Sequence, residues 1–151
     1  MMIETKYSGT IDINRDNIIV FEQGIPSFEE EKEFILLPFS KSPSPLYILQ
    51  SVNTTKLAFV VMTPFTFFPD YEAKLPDSVL EKLEIEKKED VALFVILTIK
   101  ETLEKSTANL RGPIVVNSKK QLGKQIILDN SAYHTKHQLP LAAAAPEKEG
   151  E

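Results

Sequence analysis

The sequence of 151 residues contains no cysteine, no tryptophan, two histidines and five glycines. Without cysteine the chain has no disulfide framework, no cysteine-ligated zinc or iron–sulfur site and no thiol nucleophile. So few glycines make a phosphate-cradling loop hard to build. The motifs Gly-x-Ser-x-Gly and His-Glu-x-x-His are also absent from the sequence. The composition therefore lacks the usual parts of a catalytic centre, and we expect no cofactor, no metal and no enzyme activity.

Long apolar runs are also missing. The longest, from Val91 to Leu97, is well short of the roughly 18 residues that a membrane-spanning helix needs. The N-terminal residues contain no apolar stretch typical of a signal peptide. We therefore expect a cytoplasmic protein with no membrane partner.

Basic side chains are outnumbered, 17 to 22, which gives a net charge of −5. The excess is uneven, because residues 1–90 carry 16 acidic and 9 basic side chains, whereas residues 91–140 carry 3 and 7. An acidic domain is a poor general binder of nucleic acids, because phosphate binding depends on lysine and arginine. We therefore expect no direct nucleic acid partner, although the lopsided charge can steer a protein partner.

Short apolar runs separated by turn-forming residues dominate the rest of the chain. They predict about eight strands, at residues 9–13, 18–21, 34–37, 46–52, 57–62, 91–99, 114–116 and 125–128. The turn-rich residues 14–17 predict a hairpin between the first two strands, and the apolar run 91–99 predicts a strand buried on both faces. The expected fold is all-β, a small single-domain antiparallel β-barrel-like fold.

Helix is scarce in the sequence. Pro76 and Asp77 suit a helix start, and an apolar stripe at Val79, Leu80 and Leu83 predicts a short helix there. One further helical turn is expected within residues 28–34. Residues 1–140 are predicted to form the folded domain, whereas residues 141–151 have little to bury and are predicted to be a disordered tail.

Three polar clusters are candidates for chemistry. His134 and His137 have helical spacing, Glu29–Glu31 with Glu33 could hold a hard cation, and Asp70 with Glu72 could act as an acid–base pair. Each also has a simpler interpretation as a solvated polar surface, which we favour. A small β-barrel enzyme that uses Asp70, Glu72 and a histidine remains one alternative function. A direct RNA-binding module on the basic C-terminal portion, with Arg111, Lys119, Lys120 and Lys124, is another.

Two loop segments stand out as candidate protein-binding sites. The first, residues 64–71, is rich in aromatic residues and contains two prolines. The second, residues 106–113, is a shaped polar loop before the strand at 114–116. The rings of the first segment could instead cap one end of a barrel, and the second segment could be a purely structural turn. The predicted protein-binding residues are Phe65, Phe67, Phe68, Asp70, Tyr71, Glu72, Asn109 and Arg111.

An ordered set of motifs resembles one known family across about residues 3–140. The matching pieces are Phe-Glu-Gln-Gly-Ile-Pro-Ser-Phe-Glu at 21–29, Leu-Gln-Ser at 49–51, Phe-Val-Val at 59–61 leading to Pro64, Phe-Pro-Asp-Tyr-Glu at 68–72, Thr-Ala-Asn-Leu-Arg-Gly-Pro-Ile-Val-Val-Asn at 107–117, Gly-Lys-Gln-Ile-Ile-Leu at 123–128, and Tyr133. In this order and spacing they resemble the flagellar assembly factor FliW family. The chain departs from the family at Ser27, where a second glycine is usual, and at Lys136-His137, where arginine is common.

The resemblance implies a non-enzymatic partner-switching protein. Members of this family are expected to bind flagellin in the cytoplasm and, once flagellin is exported, to bind the translational regulator CsrA. CsrA then releases flagellin mRNA and synthesis resumes. The resemblance also implies a small β-barrel-like domain, in agreement with the predicted strands.

Overall fold

The computed structural model describes residues 1–41, 44–129 and 132–140. The predicted disordered tail, 141–151, lies outside these residues. Within them the strands are β1 (Met2–Thr5), β2 (Gly9–Asp12), β3 (Ile19–Val20), β4 (Glu33–Pro38), β5 (Leu46–Ser51), β6 (Ala58–Met62), β7 (Val91–Thr98), β8 (Thr107–Ala108), β9 (Ile114–Asn117), β10 (Leu122–Gln125) and β11 (His137–Gln138). Helix α1 spans Asp77–Lys82, and single 3₁₀ turns cover Arg15–Asn17, Pro64–Thr66, Lys88–Asp90 and Leu103–Lys105.

Seven strands close into a barrel in the order β7-β6-β5-β4-β3-β10-β9, with β9 returning to β7. The neighbouring strands are antiparallel except at the seam between β3 and β10, where Leu122 lies opposite Val20 in a parallel pair. Strand β8 pairs with the end of β7, and β11 pairs with β8. The predicted all-β, barrel-like fold with little helix is confirmed.

Strand alternation divides the apolar residues between two clusters on opposite faces of the sheet. On β5, Tyr47 and Leu49 belong to one cluster, whereas Leu46 and Ile48 belong to the other. Because side chains alternate along a strand, a nearly continuous apolar run means that both faces are covered. This condition holds at the centre of β7, where the consecutive residues Phe94 and Val95 are both buried.

The N-terminal hairpin differs from its prediction. Strand β2 pairs with β1 rather than with β3, because residues 15–17 form a 3₁₀ turn that leads the chain away to the barrel. Asn14 caps this turn by accepting a hydrogen bond from the Asp16 backbone N–H. The hairpin packs on β4 through a small isoleucine cluster that includes Ile3, Ile13 and Ile35.

Two other local predictions are also wrong. The helical turn expected within residues 28–34 is absent, because Ile25 and Phe28 form a β-bridge and β4 begins at Glu33. The strand expected at 125–128 lies three residues earlier, at Leu122–Gln125. Ile126 and Leu128 instead donate backbone hydrogen bonds to the Pro113 and Arg111 carbonyls, in the loop that precedes β9.

Helix α1 confirms the predicted helix. Pro76 stands at the N-cap, and Val79 is buried with Leu83, which caps the C-terminal end. None of the helices in residues 1–41, 44–129 and 132–140 has the length and apolar character needed to cross a lipid bilayer.

Candidate protein-binding surface

The aromatic segment 64–71 packs its rings to different depths. Pro64 begins a 3₁₀ turn that leaves Phe65 at 47% exposure, whereas Phe67 and Phe68 are half-buried against the core. Tyr71 is buried, and its hydroxyl donates a hydrogen bond of 2.8 Å to the Leu110 carbonyl. The segment is therefore anchored through Tyr71 to the loop that precedes β9.

A second tyrosine completes this anchor. The rings of Tyr71 and Tyr133 lie 4.7 Å apart, and the Tyr133 hydroxyl accepts a 2.9 Å hydrogen bond from the Glu72 backbone N–H. Burial raises the pKa of the Tyr71 hydroxyl well above its usual range, with a smaller contribution from Tyr133. Tyr71 therefore keeps its proton and remains a donor to Leu110 at physiological pH.

Asn109 and Arg111 hold the backbone of the second loop. The Asn109 side-chain oxygen accepts a 2.9 Å hydrogen bond from the Gly112 N–H. The Arg111 guanidinium donates to the Tyr133 and Asp129 carbonyls, at 3.5 and 3.4 Å. Asn109 thus shapes the loop, and Arg111 joins it to Asp129 and Tyr133.

The two histidines lie beside the tyrosine pair. Nε2 of His137 accepts a 2.7 Å hydrogen bond from the His134 backbone N–H, and the imidazole rings stack at 5.3 Å. Burial and the neighbouring His134 lower the pKa of His137. A neutral His137 is required for this contact, because a protonated imidazole has no acceptor nitrogen.

A groove with an acidic rim lies next to this cluster. It has a volume of about 580 Å³ and is lined by Glu72, Lys74, Leu75, Pro76, Asp77, Ile127, Leu128 and Asp129. We call these residues the acidic groove, since three of them are acidic and one is basic. Ile127 within it is 55% exposed, one of several large apolar side chains at the surface of the described residues. Exposed apolar surface rimmed by charge is typical of an interaction site.

The structure brings the two predicted loops together but gives their residues different positions. Phe65, Asp70 and Glu72 are exposed, and Phe65 lines a second cavity that shares Leu75 with the acidic groove. The other five predicted residues make the packing contacts and hydrogen bonds described above: Phe67, Phe68, Tyr71, Asn109 and Arg111. Sequence reasoning missed Asp77, Ile127 and Asp129. Ile127 was expected to lie within a strand at 125–128. It is exposed instead, because β10 ends at Gln125 and the chain leaves the sheet there.

The predicted acidic cluster at 29–33 is partly engaged in hydrogen bonds. Glu31 accepts hydrogen bonds from the Ser51 and Thr54 hydroxyls at 2.6 and 2.7 Å, and these bonds lower the pKa of its carboxyl. Within the described part of the chain, no group of three or more histidine, aspartate and glutamate residues is arranged to hold a metal ion.

Three of the four basic residues named for RNA binding are engaged in contacts through their side chains. Lys120 forms an ion pair with Glu84 at 3.0 Å, Lys124 donates to Gln23, and Arg111 donates to backbone carbonyls. Their positive groups are therefore directed to different partners rather than to one shared surface.

Comparison with known proteins agrees with this fold. The family model described as "FliW protein" matches residues 2–139. The chain belongs to the FliW family. A relative from Geobacillus sp. (strain WCH70), a flagellar assembly factor FliW, is 55% identical over 139 residues, covering 92% of this chain and 95% of the relative. The Bacillus subtilis (strain 168) flagellar assembly factor FliW is 50% identical over 137 residues, covering 91% and 95%.

A solved structure of the FliW family also matches. The crystal structure of the flagellar assembly factor FliW superposes with a TM-score of 0.87 at 52% sequence identity, covering 91% of this chain and 96% of that one. The family assignment made from the motifs is therefore confirmed, and with it a role in flagellar assembly.

Proposed function

We propose that the chain is a cytoplasmic, non-enzymatic partner-switching regulator of flagellar assembly. It binds flagellin and, once flagellin has been exported, binds and antagonises the translational regulator CsrA, which relieves repression of flagellin mRNA. Family membership supports a role in flagellar assembly. The observation that carries the proposed antagonism is the acidic groove with Ile127 exposed in it.

Charge explains how such a groove would antagonise an RNA-binding protein. A protein that holds RNA phosphates must be basic at that surface, and an acidic protein docked beside it would repel RNA and mask positive charge. In this mechanism Ile127 and Leu75 supply apolar contact, while Glu72, Asp77 and Asp129 supply the field. The exposed residues Phe65 and Asp70 extend the proposed contact surface along the aromatic segment.

The predicted site residues that pack against the core or hold the loops have a supporting role in this proposal. Tyr71, Asn109 and Arg111 hold the two loops against each other, and Phe67 and Phe68 seat the aromatic segment on the core. Their effect on binding would therefore be indirect, through the position of Glu72 and of residues 127–129.

The direct test is to mix the purified protein with CsrA and with flagellin, singly and together, and to weigh the complexes by native mass spectrometry. We expect one complex with each partner, and loss of the CsrA complex when flagellin is added in excess. Failure to bind either partner would overturn the proposal. A ternary complex would show that the two partners do not displace one another.

A charge-reversal pair tests the groove itself. Glu72→Lys with Asp129→Lys changes two exposed groove residues, while Asp77 is kept because an acid in the first turn stabilises helix α1. The matched control is Glu4→Lys with Asp16→Lys, two exposed acids outside the groove. We expect the groove pair to weaken antagonism of RNA binding by CsrA at least tenfold and docking by less, and the control pair to have a small effect on both. Equal effects of the two pairs, or binding that is insensitive to salt, would exclude the electrostatic mechanism.

A further inference from the structure

A further concave site lies at the seam of the barrel, at the opposite end of helix α1 from the acidic groove. Its volume is about 110 Å³, and it is lined by Val20, Glu22, Gln23, Gly24, Lys82, Leu83, Leu122, Gly123 and Lys124. We call it the seam cavity. One water needs only about 10–15 Å³ of such space, so the cavity has room for several waters or one small ion.

Two lysines line the seam cavity from different elements. Lys82 is the last residue of α1, and Lys124 lies in β10. Among the described residues, neither ammonium has a carboxylate within ion-pair distance, although Glu22 also lines the cavity. Burial and the charge of Lys82 both lower the pKa of Lys124. Two cations that repel each other in a partly desolvated space favour an anion between them.

Gln23 and Gly24, from the Gln-Gly-Ile-Pro segment, also line the cavity. The side-chain oxygen of Gln23 accepts a hydrogen bond from the Lys124 ammonium, which leaves its amide N–H groups as donors. This segment is one of the motifs that carried the family resemblance, yet it takes no part in the acidic groove.

Both glycines of the seam cavity are required by close packing. A Cβ on Gly24, where φ is +68°, would lie 2.4 Å from the Glu29 carbonyl oxygen, and a Cβ on Gly123 would lie 2.7 Å from the Phe21 ring. Neither Glu29 nor Phe21 lines the cavity, so these clashes show that both lining residues pack too tightly against the neighbouring structure to carry a side chain.

We propose that the seam cavity binds a small oxyanion, a phosphate or a carboxylate group, between Lys82 and Lys124. Lysine ammonium groups bind such anions as compact point charges, and the Gln23 amide is placed to donate a further hydrogen bond. This site is independent of the partner switch proposed above, because it shares no residue with the acidic groove.

The test is an amide NMR titration of the full chain with sodium phosphate, and separately with sodium acetate, at constant ionic strength set by sodium chloride. We expect saturable shifts at the amides of Gly24, Gly123 and Lys124. Saturation by phosphate alone would assign a phosphate site, and saturation by both would assign a general oxyanion site. No saturable shift with either anion, or the same shifts with chloride alone, would overturn the proposal.

Lysine variants locate the binding. Lys124→Gln is expected to weaken phosphate binding at least tenfold and Lys82→Gln several-fold, whereas Lys100→Gln, an exposed lysine outside the cavity, leaves it unchanged. If Lys124→Gln fails to fold, Lys124→Arg keeps the charge and is expected to retain saturable binding. An equal loss in the Lys100 and Lys124 variants would contradict a specific site.

Discussion

The acidic groove and the seam cavity lie at opposite ends of helix α1 and carry opposite charge. Asp77, at the first position of the helix, lines the groove, and Lys82, at the last, lines the cavity. The two positions are five residues apart in sequence, about 7.5 Å along the helix axis. A helix of two turns is thus enough to divide the surface into two chemically different sites.

The two sites are also built in different ways. The groove is supported by large side chains, because the hydroxyls of the paired Tyr71 and Tyr133 rings hold the backbone of residues 110 and 72 in place. Two residues that line the cavity, Gly24 and Gly123, have no room for a side chain, because a Cβ on either would clash with Glu29 or Phe21. Removing atoms should therefore damage the first site, and adding atoms should damage the second.

Truncation of Tyr71 is expected to have the largest effect. Tyr71→Ala removes a buried ring and its hydrogen bond to Leu110, at a cost of about 3–5 kcal/mol in the free energy of unfolding. Tyr71→Phe keeps the ring and leaves the Leu110 carbonyl without this donor, at a cost of about 1–3 kcal/mol. Urea unfolding measures both. A cost below about 1 kcal/mol for Tyr71→Ala would show that the groove does not depend on this ring.

Adding a methyl group to Gly24 is the complementary change. Gly24→Ala combines a positive φ with a backbone clash and is expected to cost about 2–5 kcal/mol. Gly9→Ala is a matched control, because Gly9 has nearly the same φ, +67°, but no atom within 4 Å of the added Cβ. It should cost only the backbone strain, about 1–2 kcal/mol. Equal costs, again from urea unfolding, would mean that close packing at Gly24 is unimportant.

The loop beside the seam cavity can be improved at Ser27. This residue has a φ of +75°, which a side chain tolerates less well than glycine does. Ser27→Gly relieves that strain but adds chain entropy to the unfolded state, for a net gain of about 0.5–1 kcal/mol. Its backbone N–H can still donate to Glu29. Thermal unfolding measures the gain, and an unchanged or lower midpoint would show that the serine is accommodated without strain.

The smallest expected effect is on pH dependence near the groove. Because the folded state lowers the pKa of His137, the unfolded chain binds more protons as the pH falls past about 6.5, and the free energy of unfolding decreases with acidification. The decrease is complete only below the folded-state pKa. His137→Gln should show a shallower loss of stability between about pH 7.5 and about pH 5.5 in urea titrations. Identical slopes for the two proteins would assign the effect to other groups.

The strands that the sequence predicted well are those whose own residues carry the pattern. Continuous or alternating apolar runs identified β4 to β7 and β9 to within one or two residues. Strands β8 and β11 escaped prediction, because each has only two residues and is defined by its pairing, β8 with β7 and β11 with β8. Such pairing is set by the tertiary fold and leaves no local signal.

The two segments of the candidate surface could also be predicted, because their own residues carry the signal. The density of rings in 64–71 and the polar loop around Asn109 marked the two segments that the structure joins through Tyr71. The sequence could not indicate which rings face inward, since that depends on the loop from β9 and on Tyr133. It also could not indicate the seam cavity, whose two walls come from distant parts of the chain.

The parallel contact between β3 and β10 has a consequence for how the barrel forms. Gln23 and Lys124, which meet there, are 101 residues apart, whereas β4, β5 and β6 are joined by short connections. Closing so long a loop costs more entropy than forming hairpins, so the antiparallel meander should assemble first and the seam last. If unfolding reverses this order, the seam is the place where the native barrel opens most readily. An anion held there by both walls would therefore slow hydrogen exchange at Val20 and Gly123.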